Sequence, residues 1–265
     1  MKTTTVRDVT AWLAALSEDR YPEDGLLAGD EGMAVRGVVW CWMANRAVRE
    51  RARAMGANVV ITHESVCFET RNRDAGCPPP EEWAVNVEAR RFQRETGTAF
   101  IRCHRGLDAH CVPDAFEKAV GLPTPVVREG HKGYCFTRLY DLGPVTFGAL
   151  AEQLKRRAGL RMVRTSACEA GRVVRRAGLG WGGVGLSGNI QYLELLRRHG
   201  AEVVIGGEVD EYAVEYYRDS GMEWIEIGHY ASEFPGVREG AREMAEAFPG
   251  VRVECFEDGA RIEFR

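Results

Sequence analysis

Three of the six histidines close the same local phrase: helix, glycine, short apolar strand, histidine. The phrase reads Gly56-Ala57-Asn58-Val59-Val60-Ile61-Thr62-His63, then Gly97-Thr98-Ala99-Phe100-Ile101-Arg102-Cys103-His104, then Gly221-Met222-Glu223-Trp224-Ile225-Glu226-Ile227-Gly228-His229. A carboxylate follows each histidine, as Glu64, Asp108 and Glu233. Parallel strands share one carboxyl edge, and ligands bind there in open α/β sheets. Three imidazoles and three carboxylates delivered to such an edge are the inventory of a divalent metal site, and enough for two ions. His63 and Glu64 are adjacent at a strand end, where the turning chain lets neighbouring side chains converge. Asp108 lies four residues past His104 and Glu233 four past His229, a spacing that one helical turn brings together. Glu233 is placed to bridge two ions; Ser232 reads equally well as the N-cap of the helix that follows.

The elements that must position these groups are legible as an alternation of helix and strand. Apolar spacing predicts a helix over Val6–Leu16 after a threonine-rich cap, and a Pro/Gly/Asp-rich loop over Tyr21–Gly32. Gly37–Trp42 reads as a buried strand, and Asn45 caps a helix that ends at Gly56. Cys77-Pro78-Pro79-Pro80 breaks the chain before a helix from about Glu81 to Thr96, and Pro113 opens one that stops near Gly121. Val126–Leu142 is predicted as a β-hairpin and the joint between two halves, 1–125 and 126–265. Helices over Thr146–Ala158 and Ile190–His199 follow.

The second half repeats the first. Gly200-Ala201-Glu202-Val203-Val204-Ile205-Gly206-Gly207-Glu208 keeps Gly, Ala, Val, Val, Ile and the terminal Glu of residues 56–64 in register. An internal duplication makes Glu64 and Glu208 equivalent strand ends; chance likeness between two buried strands is the rival explanation. Between the hairpin and that strand, Gly178–Gly183 and Gly183–Gly188 both fit G-x-G-x-x-G, with Glu208 about twenty residues on. That admits a dinucleotide-binding protein, against the plainer reading of a tight loop at the same edge.

The remaining candidates have ordinary explanations. Cys67 and Cys103 are read as small core residues, since Cys103 points to the opposite strand face from His104. His131 falls in a turn and His199 at a helix C-terminus, while His110 is read either as approaching the site or, equally, as solvent-exposed. Eight scattered cysteines with no C-x-x-C point to free thiols. At 265 residues and 45% hydrophobic, the chain can bury a large core, and its net charge of -4 provides no basic field for nucleic acid. No apolar run is long enough for a membrane span and the N-terminus is not signal-like, so a cytoplasmic location is expected.

The motifs together resemble the Nif-three-like family (NGG-one-interacting factor three), often labelled GTP cyclohydrolase I type 2. Its I-T-H-H, H-x-x-x-D and G-H-x-x-S-E elements stand here as Ile61-Thr62-His63-Glu64, His104-Arg105-Gly106-Leu107-Asp108 and Gly228-His229-Tyr230-Ala231-Ser232-Glu233. The Glu208 segment is similar to the family's T-G-E element. The resemblance implies two similar three-layer α/β halves, a dinuclear metal site in the cleft between them at strand C-terminal ends, no large inserted domain, and often a ring-shaped homohexamer. By position it implies His63, Glu64, Asp108, His229 and Glu233 as ligands, with His104 as ligand or support. Glu64 replaces a histidine of the family pattern; a harder, charged donor favours Mn, Fe or Mg relative to Zn, or weakens that site. Tyr21-Pro22-Glu23-Asp24-Gly25-Leu26 likewise departs from W-D-N-x-G-L.

The expectation is a protein with two divalent ions (Zn, Mn or Fe), hydrolysing a small phosphate-bearing or nucleotide-like substrate. His104 and Glu208 would serve as catalytic groups, Glu208 as general base. The alternative is a metal-binding, metal-delivery or regulatory interaction protein without turnover.

Overall fold

In a computed structural model, residues 3–70, 76–131 and 134–259 are described. The chain runs α1 (Val6–Ala14), β1 (Gly25–Ala28), β2 (Gly37–Cys41), α2 (Arg46–Met55), β3 (Val59–Thr62), α3 (Ala84–Thr96), β4 (Ala99–Arg102), α4 (Arg105–His110) and α5 (Val112–Val120). It continues with β5 (Val127–His131), β6 (Tyr134–Thr146), α6 (Phe147–Arg157), β7 (Arg164–Thr165), β8 (Val173–Gly180), α7 (Ile190–Arg198), β9 (Val203–Gly206), α8 (Glu211–Ser220), β10 (Glu223–Glu226), α9 (His229–Ala247) and β11 (Arg252–Cys255). Two compact units result, one of residues 1–110 with 237–259, the other of 111–236. The division therefore falls at His110 and again inside α9, where the sequence alone suggested one joint at 125/126. The reason is packing: α5 lies against α6, and Asp114 and Glu117 of α5 hold Arg138 of β6.

In the first unit the sheet order is β1-β4-β3-β2-β11. β11, β2, β3 and β4 are parallel, and β1 adds antiparallel to β4. The predicted loop over Tyr21–Gly32 thus contains an edge strand. Turn-rich composition hid it, because an edge strand draws its stability from its partner's hydrogen bonds. Alternate residues of β2 serve opposite faces. Val39 and Cys41 join Val48 and Ala52 of α2 in one buried cluster. On the other face the Trp40 indole N–H donates to the Met244 sulfur of α9 at 3.0 Å, and Gly240 gives Trp40 and Leu107 room to approach.

The second unit's sheet has the order β5-β6-β8-β9-β10-β7. Its centre, β8-β9-β10, is parallel, as β2-β3-β4 is in the first. β9 and β3 are both central strands, each preceded by a helix and glycine, which supports duplication over chance likeness. Val204 and Trp224 pack with Leu193 and Leu196 of α7 and Ala213 and Tyr217 of α8. The predicted hairpin is β5–β6, whose connection lies outside the described residues.

Local signals explain the helix ends. Thr5 and Asp8 form a reciprocal capping box at α1, and the Asn45 side chain accepts the Val48 N–H at α2. α2, α3 and α8 all stop at a left-handed glycine, Gly56, Gly97 and Gly221. Each glycine turns the chain directly into a strand that leads towards a histidine.

Candidate metal-binding sites

The first donor set stands at the carboxyl edge of the first unit's sheet. Beyond β3 the ladder continues for two residues, since the His63 N–H donates to the Cys41 carbonyl and the Glu64 N–H to that of Trp42. His63 is fully buried. Its Nδ1 lies 3.2 Å from the Cys103 carbonyl oxygen, a contact that requires Nδ1 to carry the proton. The other ring nitrogen, Nε2, lies 3.7 Å from Oδ1 of Asp108. An imidazole held by one nitrogen and presenting the other is the geometry of a metal ligand.

His104 closes the set. The strand gives way to α4 at once, and the Asp108 N–H donates to the His104 carbonyl, so one helical turn stacks the two side chains. His104 Nε2 lies 3.9 Å from Oδ2 of Asp108 and 3.9 Å from Oε1 of Glu64. The His63 and His104 rings meet edge to face with centroids 4.9 Å apart. One donor atom from each of His63, His104 and Asp108 lies within 4.8 Å of the others, close enough to share one ion. Donors of two imidazoles and a carboxylate suit a divalent transition metal.

Asp24 braces this set. Its carboxylate accepts the backbone N–H groups of His104 at 2.8 Å and Gly106 at 2.7 Å, fixing the start of α4. Burial raises the Asp24 pKa above the ordinary carboxylate value, against the lowering effect of those two hydrogen bonds. Sequence reasoning passed over Asp24 because its partners lie about eighty residues away and no local pattern announces them.

The second set stands at the corresponding edge of the other unit. His229 opens α9, and its Nε2 lies 3.2 Å from Oε1 of Glu233, one turn on. On the other side of the ring, Nδ1 lies 2.9 Å from Oε2 of Glu208. The hydrogen bond with His229 holds the Glu208 carboxyl below its ordinary value, outweighing partial burial. Glu208 thus orients the imidazole as the Cys103 carbonyl does for His63. Glu233 is buried, with 3% exposed.

The glycine-rich stretch packs around this pair. Gly178 and Gly180 lie within β8, whose Val174, Ala177 and Leu179 are buried, so they do not form the strand-to-helix turn of a dinucleotide fingerprint. Gly182 has a φ of +53°, and a Cβ there would meet Oε1 of Glu233 at 2.0 Å. A Cβ on Gly207 would lie 2.4 Å from the Gly182 nitrogen. Ser232 is not the N-cap of the helix. It sits inside the first turn of α9, where its hydroxyl accepts the Gly182 N–H at 2.9 Å and donates to the His229 carbonyl at 2.8 Å. The plainer reading of the glycines holds: they let backbone pass close to the His229–Glu233 pair.

The other histidines and thiols have separate partners. His110 lies 2.7 Å from Glu243, and His199 ends α7 beside Glu129 at 3.1 Å. Cys103 is buried and Cys67 half-buried, and neither belongs to either donor set.

No curated protein matches the sequence. Solved structures match the fold. The Staphylococcus aureus hypothetical protein SA1388 superposes with a TM-score of 0.78 at 16% identity, covering 100% of both chains. The Bacillus cereus protein related to NIF3 gives 0.76 at 14%, again over 100% of both. Reduced HcgD from Methanocaldococcus jannaschii gives 0.72 at 15%, over 95% of this chain and 97% of that one. The description Duf34/NIF3 (NGG1p interacting factor 3) fits residues 4–259 of this sequence, and with that span matched the chain belongs to that family.

Proposed function

We propose that this chain is a metal-dependent hydrolase acting on a small phosphate-bearing or nucleotide-like substrate, with two divalent ions held by His63, Glu64, Asp108, His229 and Glu233. The observation that carries the reading is the shared design of the two donor sets. Each has a histidine anchored through Nδ1 and a carboxylate facing its Nε2. A bound divalent ion supplies Lewis-acid polarisation of a phosphoryl oxygen and acidifies water. The carboxylate content favours Mn or Fe relative to Zn. His104 faces both Asp108 and Glu64 and orients them or ligates. Glu208, whose carboxyl the His229 hydrogen bond holds below its ordinary value, is the proposed proton acceptor.

One observation favours a second reading, a metal-binding or delivery protein without turnover. A carboxylate whose pKa is lowered by its bond to His229 is a weak base. Metal analysis of purified protein by mass spectrometry, beside His63→Ala and His229→Ala, is the first test. Two ions per chain, one lost in each variant, with hydrolysis of phosphomonoesters or nucleotides, supports the hydrolase. Two ions without turnover on that panel selects the binding protein, and no ion in the parent protein refutes both. A homohexamer is proposed as its assembly, to be checked by sedimentation.

A further inference from the structure

We propose that Arg102 is the counter-ion of Glu64 and sets the metal affinity of the first donor set. This rests on the metal-binding reading above. The register of β3 with β4 places Arg102 beside Thr62, directly before His63 and Glu64. Its Nε donates to the His63 carbonyl at 3.3 Å, and its Nη2 lies 3.5 Å from Oε2 of Glu64. The same guanidinium therefore holds the backbone of one donor and the carboxylate of the next. Both side chains are largely buried, 16% and 23% exposed, so their charges are poorly screened. The other oxygen of Glu64 faces His104 at 3.9 Å. The neighbouring cation, Arg105, is engaged with Glu23 at 2.6 Å.

Two consequences follow from charge. Glu64 adds one negative charge to a set that already has Asp108, and Arg102 returns the sum to that of a set with a neutral donor in its place. An arriving ion competes with Arg102 for the Glu64 carboxylate, so the pair moderates affinity for hard divalent ions. Arg102 is a positioning residue and makes no contact with substrate in this account.

The test is a double-mutant cycle on the full chain, read as Mn2+ and Zn2+ affinity by competition with a chromogenic chelator. Histidine keeps a donor at position 64 without its charge. Glu64→His alone leaves Arg102 uncompensated, and Mn2+ binding is expected to weaken by about tenfold or more. Arg102→Gln alone is expected to tighten it by about tenfold, and the double variant to return within about threefold of the parent. Arg102→Lys, which keeps the charge, stays near the parent. A double variant that binds no tighter than Glu64→His overturns the proposal, as does an unchanged affinity in Arg102→Gln. If Arg102→Gln does not fold, Glu64→His decides: unaltered Mn2+ affinity there refutes the counter-ion role. Failure of the parent protein to bind either ion overturns the metal reading itself, and this proposal with it.

Discussion

Gly182 shows how closely the second donor set is fitted. Its backbone adopts a conformation that a side chain disfavours, and the space a Cβ needs belongs to the Glu233 carboxylate. Gly182→Ala is expected to destabilise the fold by roughly 1–3 kcal/mol. It is also expected to move Glu233 away from His229. Denaturant unfolding reads the first effect and metal content the second; full metal occupancy in this variant would show that Glu233 is not a ligand. The residues that sequence spacing nominated, His63, Glu64, His104 and Asp108 in one set and Glu208, His229 and Glu233 in the other, come together as two groups. Those it missed, Asp24 and Arg102, act on them from outside their own strands.

Elements are tied to one another by charge as well as by apolar packing. Glu254 of β11 accepts two hydrogen bonds from Arg51 of α2, at 2.5 and 2.8 Å. That bond holds the Glu254 carboxyl below its ordinary value of 4.5. A depressed acid contributes stability that is present above its unfolded pKa and lost as pH falls through the folded one. Glu254→Gln is therefore expected to lower the melting temperature near neutral pH, with the gap to the parent closing below about pH 4.5. A gap that is constant with pH would place the effect in packing instead. In the second unit Arg138 is 1% exposed and lies against Asp114 at 2.5 Å and Glu117 at 3.0 Å, while Tyr140 donates to Glu117 at 2.5 Å. Only the arginine is fully buried, Asp114 being 38% and Glu117 18% exposed, so removing Arg138 leaves mainly the Glu117 carboxylate poorly solvated. Arg138→Ala is expected to lose about 1–3 kcal/mol in urea unfolding, less than for a fully buried pair because water reaches the carboxylates, and Arg138→Met with Glu117→Leu to recover part of that loss.

At the scale of the whole molecule, one plan is used twice: three parallel strands with a histidine and a carboxylate beyond their ends. Among the described residues no helix is long and apolar enough to cross a membrane. If both donor sets hold ions, binding stabilises the native state in proportion to their excess over the dissociation constant. At a hundredfold excess the gain is about 2.7 kcal/mol per site. Calorimetry of chelator-treated protein titrated with Mn2+ should show a rising melting temperature, and one indifferent to Mn2+, Fe2+ and Zn2+ would count against both sites. His63→Ala with His229→Ala removes a donor from each set and should abolish the rise.

The sequence by itself determined the local events. Glycine after a helix, a β-branched run, then histidine is a short-range code, because caps, turns and strand alternation depend on residues within one or two turns. It also determined which carboxylates lie one helical turn from a histidine, and the duplication of 56–64 in 200–208. Tertiary structure decided what needed distant partners. β1 is a strand only because β4 offers its edge, and β11 joins β2 from the far end of the chain. Glu208 became the anchor of His229, and Arg102 the partner of Glu64, through contacts between neighbouring strand ends. Hydrogen bonds and ion pairs act over a few ångströms of space and are indifferent to separation along the chain, so no local pattern of residue types could specify them.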